Sequence, residues 1–560
     1  MIRLIVKLVL LVSLLPAAAQ AADLKPSEAA IASAHPLATQ AGLDILDQGG
    51  NAFDAAVAVS AALAVVEPYG SGLGGGGFYL LHVADSQHDV MLDARETAPA
   101  SARQSHYLDN NGELDRDISI NSAYAAGIPG IPAALDKLAR EYGRLPLKET
   151  LAPAIRYAQE GFAVTERYRK LAGFRLEVMR RNEQTAAIFL QDNDIPETGY
   201  MVQQPQLAET LETIADKGSD VFYRGGLAER MVAGVNEQGG QWTLQDLADY
   251  TVKERRPIVS VYGGIKIISA SLPSSGGIVL GQALGILEQF DLRYMDEATR
   301  MHLIVEAMRR AYRDRAAYLG DSDFVDVPVE RLLDADYMAG LAVEIDRERA
   351  TPSDTMPPFD SQHGVGDNTT HFSIIDTEGN RVSATLSVNL PFGNAMMAGD
   401  TGILLNNELD DFALQPLEPN AYGLVGTHAN AIAPGKRPLS SMTPTFLETD
   451  DKVAILGTPG GSRIISMVLL GTLAFADGGL PESWVSMPRY HHQYLPDVIQ
   501  HEPGALAPDL MTALQSMGHA FEDVGRRYGN MQAVLWHKPT NLVFVASDPR
   551  GEGRAAKLPQ

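Results

Sequence analysis

Apolar residues change their spacing several times along the chain. In 31–66, Ala38, Ala41, Leu43, Ile45 and Leu46 give one helical face, Gly49-Gly50-Asn51 breaks it, and the small residues of 54–64 suit a second, tightly buried helix. This stretch therefore reads as two helices. The glycine-rich run 70–77 leads into a strand at 78–83. From about 120 to 345 the period is mostly helical, as at 133–142, 206–217, 227–236 and 297–318. Residues 351–368 lose all apolar period and carry Pro352, Pro357, Pro358 and Gly364, the pattern of a polar linker. Strands follow abruptly: 370–376 and 381–388 flank a turn at 377–380, a hairpin. Further buried strands are expected at 453–457 and 542–545, with a helix at 464–475 directly after 458–462. No internal repeat is visible. Hairpin-joined strands with segregated helices predict a layered α+β sandwich rather than a doubly wound sheet.

Composition narrows the setting. The chain has 560 residues, 45% of them hydrophobic, enough for one large core or two fused ones. Beyond the N-terminus no apolar run reaches the ~18 residues of a membrane helix. A net charge of -25 repels phosphate backbones and anionic lipid, so neither nucleic acid nor a membrane surface is an expected partner. With 0 cysteines there is no disulfide, thiolate nucleophile or Cys-ligated metal. At the N-terminus, Arg3 and Lys7 precede apolar residues 8–15, Pro16 and the small-residue site Ala19-Gln20-Ala21. That order predicts a secretory signal over 1–22 and a periplasmic or secreted mature chain.

Two motifs lead nowhere. Gly72-x-Gly74-x-x-Gly77 has the spacing of a dinucleotide fingerprint, but a helix precedes it and a strand follows, the reverse of what that motif needs. Close backbone packing near a site accounts for it better. His491-His492 are adjacent on an expected strand, so they point to opposite faces and read as structural. Asn368-Thr369-Thr370 is more informative. Its sequon spelling is coincidental, but Thr369 follows a linker and opens a buried strand. If the Asn368–Thr369 bond is cut, Thr369 gains an α-amine with an ordinary pKa of about 7.7–8.0, a base on the same residue as the nucleophilic hydroxyl.

The blocks around Thr369 make the reading specific. Residues 367–373 (DNTTHFS), 402–412 (GILLNNELDDF), 436–445 (KRPLSSMTPT) and 458–463 (TPGGSR) resemble the signature blocks of γ-glutamyltranspeptidases. So do 34–38, 67–77, 93–99 and 546–550, in order along nearly the whole mature chain. The resemblance implies a four-layer αββα sandwich of the N-terminal-nucleophile hydrolase type. It also implies one precursor cut into a large subunit, 23–368, and a small catalytic subunit, 369–560. By the same resemblance Arg95 and the pair Ser440-Ser441 hold the donor α-carboxylate, and Asn389, Glu408 and Asp411 hold its α-ammonium. Gly460 and Gly461 stabilise the oxyanion, and Tyr422 sits in a lid loop. Ser387 stands where the family usually has a second Thr, 18 residues after the nucleophile; it keeps the hydroxyl and loses the methyl that fixes χ1.

The implied activity is cleavage of γ-glutamyl amides such as glutathione through a γ-glutamyl ester on Thr369, passed to water or to an amino-acid or peptide amine. No metal or organic cofactor is expected. A cephalosporin (glutaryl) acylase on the same fold is the alternative. A glutaryl group has no ammonium and gives no reason to keep Asn389, Glu408 and Asp411 together. A third reading, a binding protein that never matures, conflicts with the intact Thr369, Gly460 and Gly461.

Overall fold

The computed structural model describes residues 24–356 and 369–559. The expected signal segment and Asn368 lie outside the described residues.

Two antiparallel sheets face each other. The first runs, in spatial order, Arg554–Pro559, Glu28–Ser33, Thr370–Ile375, Arg381–Ser387, Gly76–Val83, His88–Ala94 and Lys253–Arg255. The second runs Leu542–Ser547, Gln532–His537, Lys452–Gly457, Thr445–Glu448, Ile265–Ser269 and Ile258–Tyr262. Helices Pro36–Asp47, Ala52–Val66, Leu147–Glu160 and Pro205–Lys217 lie outside the first sheet. Helices Gly276–Leu287, Glu297–Tyr318 and Ile464–Ala476 lie outside the second. The result is the expected αββα sandwich.

Alternation along Thr370–Ile375 shows how the layers form. Phe372 and Ile374 join the core under the first helical layer, while Ile375 joins the core shared with the second sheet. His371 and Ser373 face the same way as Ile375 and meet polar partners: His371 Nδ1 lies 2.8 Å from Thr385 Oγ1, and Ser373 Oγ donates to Gln532 O at 3.1 Å. The hairpin turn is fixed by Asp376, whose carboxylate accepts the N–H groups of Glu378 and Asn380, each at 2.9 Å. It also accepts the Ala52 N–H at 2.9 Å, which ties the turn to the start of helix Ala52–Val66. Every residue of that helix is buried, as its small side chains require.

Two expectations need correction. Residues 31–33 belong to the strand Glu28–Ser33, not to a helix. Its sequence, EAAIAS, carries little strand propensity beyond Ile31, and pairing with Thr370–Ile375 on one side and Arg554–Pro559 on the other decides its state. The stretch read as helical also contains Lys253–Arg255, Ile258–Tyr262 and Ile265–Ser269, which complete an edge of each sheet.

Candidate active site

Thr369 is 6% exposed and directly precedes the hairpin strand at the centre of the first sheet. It lines a small cavity together with Ser387, Asn389, Glu408, Asp411, Tyr422, Ser440, Ser441 and Gly461. Of the expected site residues in the described chain, only Arg95 and Gly460 are absent from this wall.

The second hairpin strand ends at Ser387. Its Oγ accepts the N–H of Asn389 at 2.7 Å, and Asn389 takes a positive φ of 70°. Asn389 Nδ2 donates to Asn407 O at 2.9 Å. Its Oδ1 is buried without a hydrogen-bond partner among the described residues. Glu408 and Asp411 sit on one short helical turn, Glu408–Asp411. The Glu408 N–H donates to Asn406 Oδ1 at 3.0 Å, and Asn406 Nδ2 donates to Gly74 O at 2.7 Å and Gly127 O at 2.8 Å. The glycine-rich run thus backs the site. A Cβ on Gly74 would lie 2.0 Å from Leu404 O, and one on Gly75 would lie 2.1 Å from Ser387 O. Only glycine permits this approach.

Charge is concentrated behind the wall. Arg95 is fully buried; its Nη1 donates to Glu408 Oε1, its Nη2 to Asp411 Oδ2 at 2.5 Å, and its Nε to Pro438 O at 3.2 Å. Glu96 Oε2 lies 3.6 Å from the same guanidinium. Three carboxylates surround one buried cation, and burial with their mutual repulsion favours their protonated forms. Burial pushes Glu408 up to about 7, with the Asp411 charge adding to the rise and Arg95 opposing it. Glu96 is driven well up by burial and by Glu408, and neither of its oxygens has a hydrogen-bond partner. Glu408 Oε2 also has none, and it belongs to a cavity-lining residue.

The cation on the cavity wall is Arg315. Its Nε donates to Ser275 Oγ at 3.0 Å and its Nη2 to Ser441 Oγ at 3.3 Å. Burial pulls it down to about 10, which leaves it charged at neutral pH. The sequence reading missed Arg315. The signal was present: it continues the series Met301, Ile304, Met308, Ala311 on the buried face of helix Glu297–Tyr318, where an arginine is out of place.

Gly460 and Gly461 follow strand Lys452–Gly457 and lead through a turn into helix Ile464–Ala476. Gly461 has φ 56°, and a Cβ there would lie 2.2 Å from the Tyr422 ring. Gly460 lines a neighbouring, wider cleft. Tyr422 OH donates to Asn389 O at 2.8 Å. Its loop is tied to the acidic turn by Asn420 Nδ2 to Asp411 Oδ1 at 2.9 Å and Ala421 N–H to Asp410 Oδ2 at 2.8 Å.

His302, Glu306 and His519 cluster in a way that could hold a metal ion. However, Glu306 already accepts from Arg309 Nε at 3.1 Å and Arg310 Nη1 at 2.6 Å, and two guanidinium groups oppose a divalent cation. His491 lies 2.8 Å from Gln493 Oε1, and His492 lies 3.2 Å from Asp497 Oδ1.

Comparison with known proteins places this geometry. The sequence profile of the gamma-glutamyltranspeptidase family matches residues 38–558. The chain belongs to the γ-glutamyltranspeptidase family. It is 41% identical to the glutathione hydrolase proenzyme of Escherichia coli over 525 residues, covering 93% of this chain and 90% of that protein. It is 41% identical to the corresponding proenzyme of Pseudomonas aeruginosa, covering 94% and 93%. Among solved structures it resembles the cephalosporin acylase from Bacillus halodurans, with a TM-score of 0.84 at 30% identity over 95% of this chain and 96% of that one. It also resembles the γ-glutamyltranspeptidase of Helicobacter pylori, with a TM-score of 0.56 at 39% identity over 58% of this chain and 94% of that one. The fold is accordingly that of the N-terminal-nucleophile hydrolases, as the sequence blocks implied.

Proposed function

We propose that this γ-glutamyltranspeptidase family member cuts its own Asn368–Thr369 bond and then cleaves γ-glutamyl amides such as glutathione. The observation that carries the substrate assignment is a pair of unsatisfied acceptors. Asn389 Oδ1 and Glu408 Oε2 belong to residues on the wall of the cavity that Thr369 lines, and neither has a hydrogen-bond partner among the described residues. Buried acceptors without donors are costly, by about 1–3 kcal/mol each. An α-ammonium in the cavity would satisfy both.

The chemistry follows from the α-amine created by cleavage. It takes the proton of Thr369 Oγ as that oxygen attacks the γ-carbonyl. The oxyanion forms beside Gly460 and Gly461, where backbone N–H groups at a helix start favour negative charge. The C–N bond then breaks, the leaving amine receives the proton, and a γ-glutamyl ester remains on Thr369. Water or an acceptor amine attacks that ester and restores the hydroxyl. Ser440, Ser441 and Arg315 are poised for the donor carboxylate. Arg95, now paired with Glu408 and Asp411, would turn to the donor carboxylate and leave those two carboxylates to the ammonium. Tyr422 covers the site. No cofactor enters the scheme. The N-terminal pattern supports export, and among the described residues no helix is long and apolar enough to cross a membrane.

A glutaryl acylase is the competing reading, since an acylase shares the fold. Hydrolysis of γ-glutamyl and glutaryl anilides separates the two. The expected result is strong preference for the γ-glutamyl compound; preference for the glutaryl compound overturns the assignment. N-terminal sequencing of the purified protein should find a fragment beginning at Thr369, and Thr369→Ala should remain a single inactive chain.

A further inference from the structure

Tyr422 spans the boundary between two openings. Its ring packs on Gly461 and its hydroxyl bonds to Asn389 O. The sequence neighbours of those two residues, Gly460 and Leu390, line a second cleft of about 1520 Å³, part of it open to solvent. The expected oxyanion glycines therefore divide between the two openings: Gly461 faces the small cavity and Gly460 the large cleft.

The cleft is basic in a strongly acidic chain. Arg167, Lys170, Arg175, Arg526, Arg527 and Arg550 line it, against Glu166 and Glu552, while the whole chain carries a net charge of -25. Some of these cations build the walls. Arg175 donates to Pro391 O at 3.2 Å and Gly393 O at 2.8 Å, and Arg550 is paired with Glu502 and Asp548. Others are less committed. Lys170 and Arg527 are exposed and make no ion pair among the described residues. The Arg167 guanidinium lies 5.9 Å from the Tyr69 ring, but its Nε is shielded from solvent with no hydrogen-bond partner among the described residues, as is Glu552 Oε2. A basic island within an acidic surface focuses anions toward itself.

We infer that this cleft is the subsite for the leaving group and the acceptor, and that Lys170, Arg527 and Arg167 recognise the carboxylate of an amino acid or peptide there. The inference rests on the γ-glutamyl reading above. With the donor's head group in the small cavity, its scissile carbonyl lies at Gly460-Gly461. Whatever is joined to the carbonyl nitrogen then extends past Gly460 into the cleft. The dipeptide released from glutathione, and an amino-acid or peptide acceptor, each carry a carboxylate; an anilide leaving group carries none. Glu552 Oε2 offers a matching acceptor for an amine or amide N–H.

The test is the double variant Lys170→Gln, Arg527→Gln of the matured enzyme, both substitutions being at exposed positions. For glutathione the expected result is a fall in kcat/KM of roughly tenfold, carried by KM, equivalent to about 1.4 kcal/mol. The KM for a dipeptide acceptor should rise similarly, while hydrolysis of γ-glutamyl-p-nitroanilide stays within about twofold. Added salt should raise the glutathione KM of the wild type more than that of the variant. Lys170→Arg should keep wild-type behaviour. Equal effects on glutathione and the anilide, or no effect on either, overturn the cleft assignment. A wild type that cleaves neither substrate instead defeats the γ-glutamyl reading on which it rests.

Discussion

Glu408 combines burial, a bond to Arg95 and an open lone pair on Oε2, and its carboxyl is raised to about 7. Ammonium binding needs the anion. The KM for a γ-glutamyl anilide should therefore rise as pH falls below about 7. Glu408→Gln should show a high KM with a flattened pH dependence, read by steady-state kinetics across that range. The stability effect has the opposite sense. The folded value lies above the ordinary 4.5, so the folded state holds the extra proton, and this group's contribution to stability declines as pH rises from 4.5 toward 7. Ser387 invites a second experiment. Its Oγ holds the Asn389 N–H at 2.7 Å, so Ser387→Ala should disturb both maturation and donor binding. Ser387→Thr restores the methyl that limits χ1, and should mature at least as fast as wild type by gel densitometry. At this scale the residue blocks and the resemblance they carry named most of the polar side chains on the cavity wall. They missed Arg315, because a helical period identifies a buried face without saying that a pocket lies against it.

Among elements, the turn between strand Lys452–Gly457 and helix Ile464–Ala476 tolerates little change. Gly461→Ala would place its Cβ 2.2 Å from the Tyr422 ring at a φ of 56°. The lid, the turn or both must shift. We expect a loss in kcat of about 100-fold or more, as for removal of an oxyanion donor. Tyr422→Ala in the same chain should relieve the clash but not the backbone strain, so only part of the loss is recovered; paired kinetics and thermal melts check this. The helix Glu297–Tyr318 and the hairpin were legible because their periods are long and regular. Glu28–Ser33 was not, because alanines in EAAIAS favour a helix and only two neighbouring strands make it extended. The edge strands Lys253–Arg255 and Ile258–Tyr262 hid within a helical region, since edge strands bury too little to impose a clear alternation.

For the whole molecule, the expected cut at Thr369 falls inside a shared architecture. In the first sheet Thr370–Ile375 pairs with Glu28–Ser33, and Arg381–Ser387 pairs with Gly76–Val83. In the second, Thr445–Glu448 pairs with Ile265–Ser269. Separating the two fragments would break these ladders, together with that between Glu28–Ser33 and Arg554–Pro559, and open both cores. The matured protein should elute from size exclusion as one species and resolve into two bands only under denaturing conditions. Two separated fragments under native conditions would contradict this arrangement.

Sequence by itself determined the identity of the chemistry. Thr369 after a polar linker, the ordered blocks and the glycines of 458–463 specify which groups exist and which fold family holds them, because these are local patterns. Tertiary structure alone decided how charge is distributed among them. Arg95 and Glu408 are 313 residues apart, and Arg315 and Ser441 are 126 apart, so no local pattern links them. The same holds for the basic cleft, whose cations come from three distant segments and become one surface only in the folded chain.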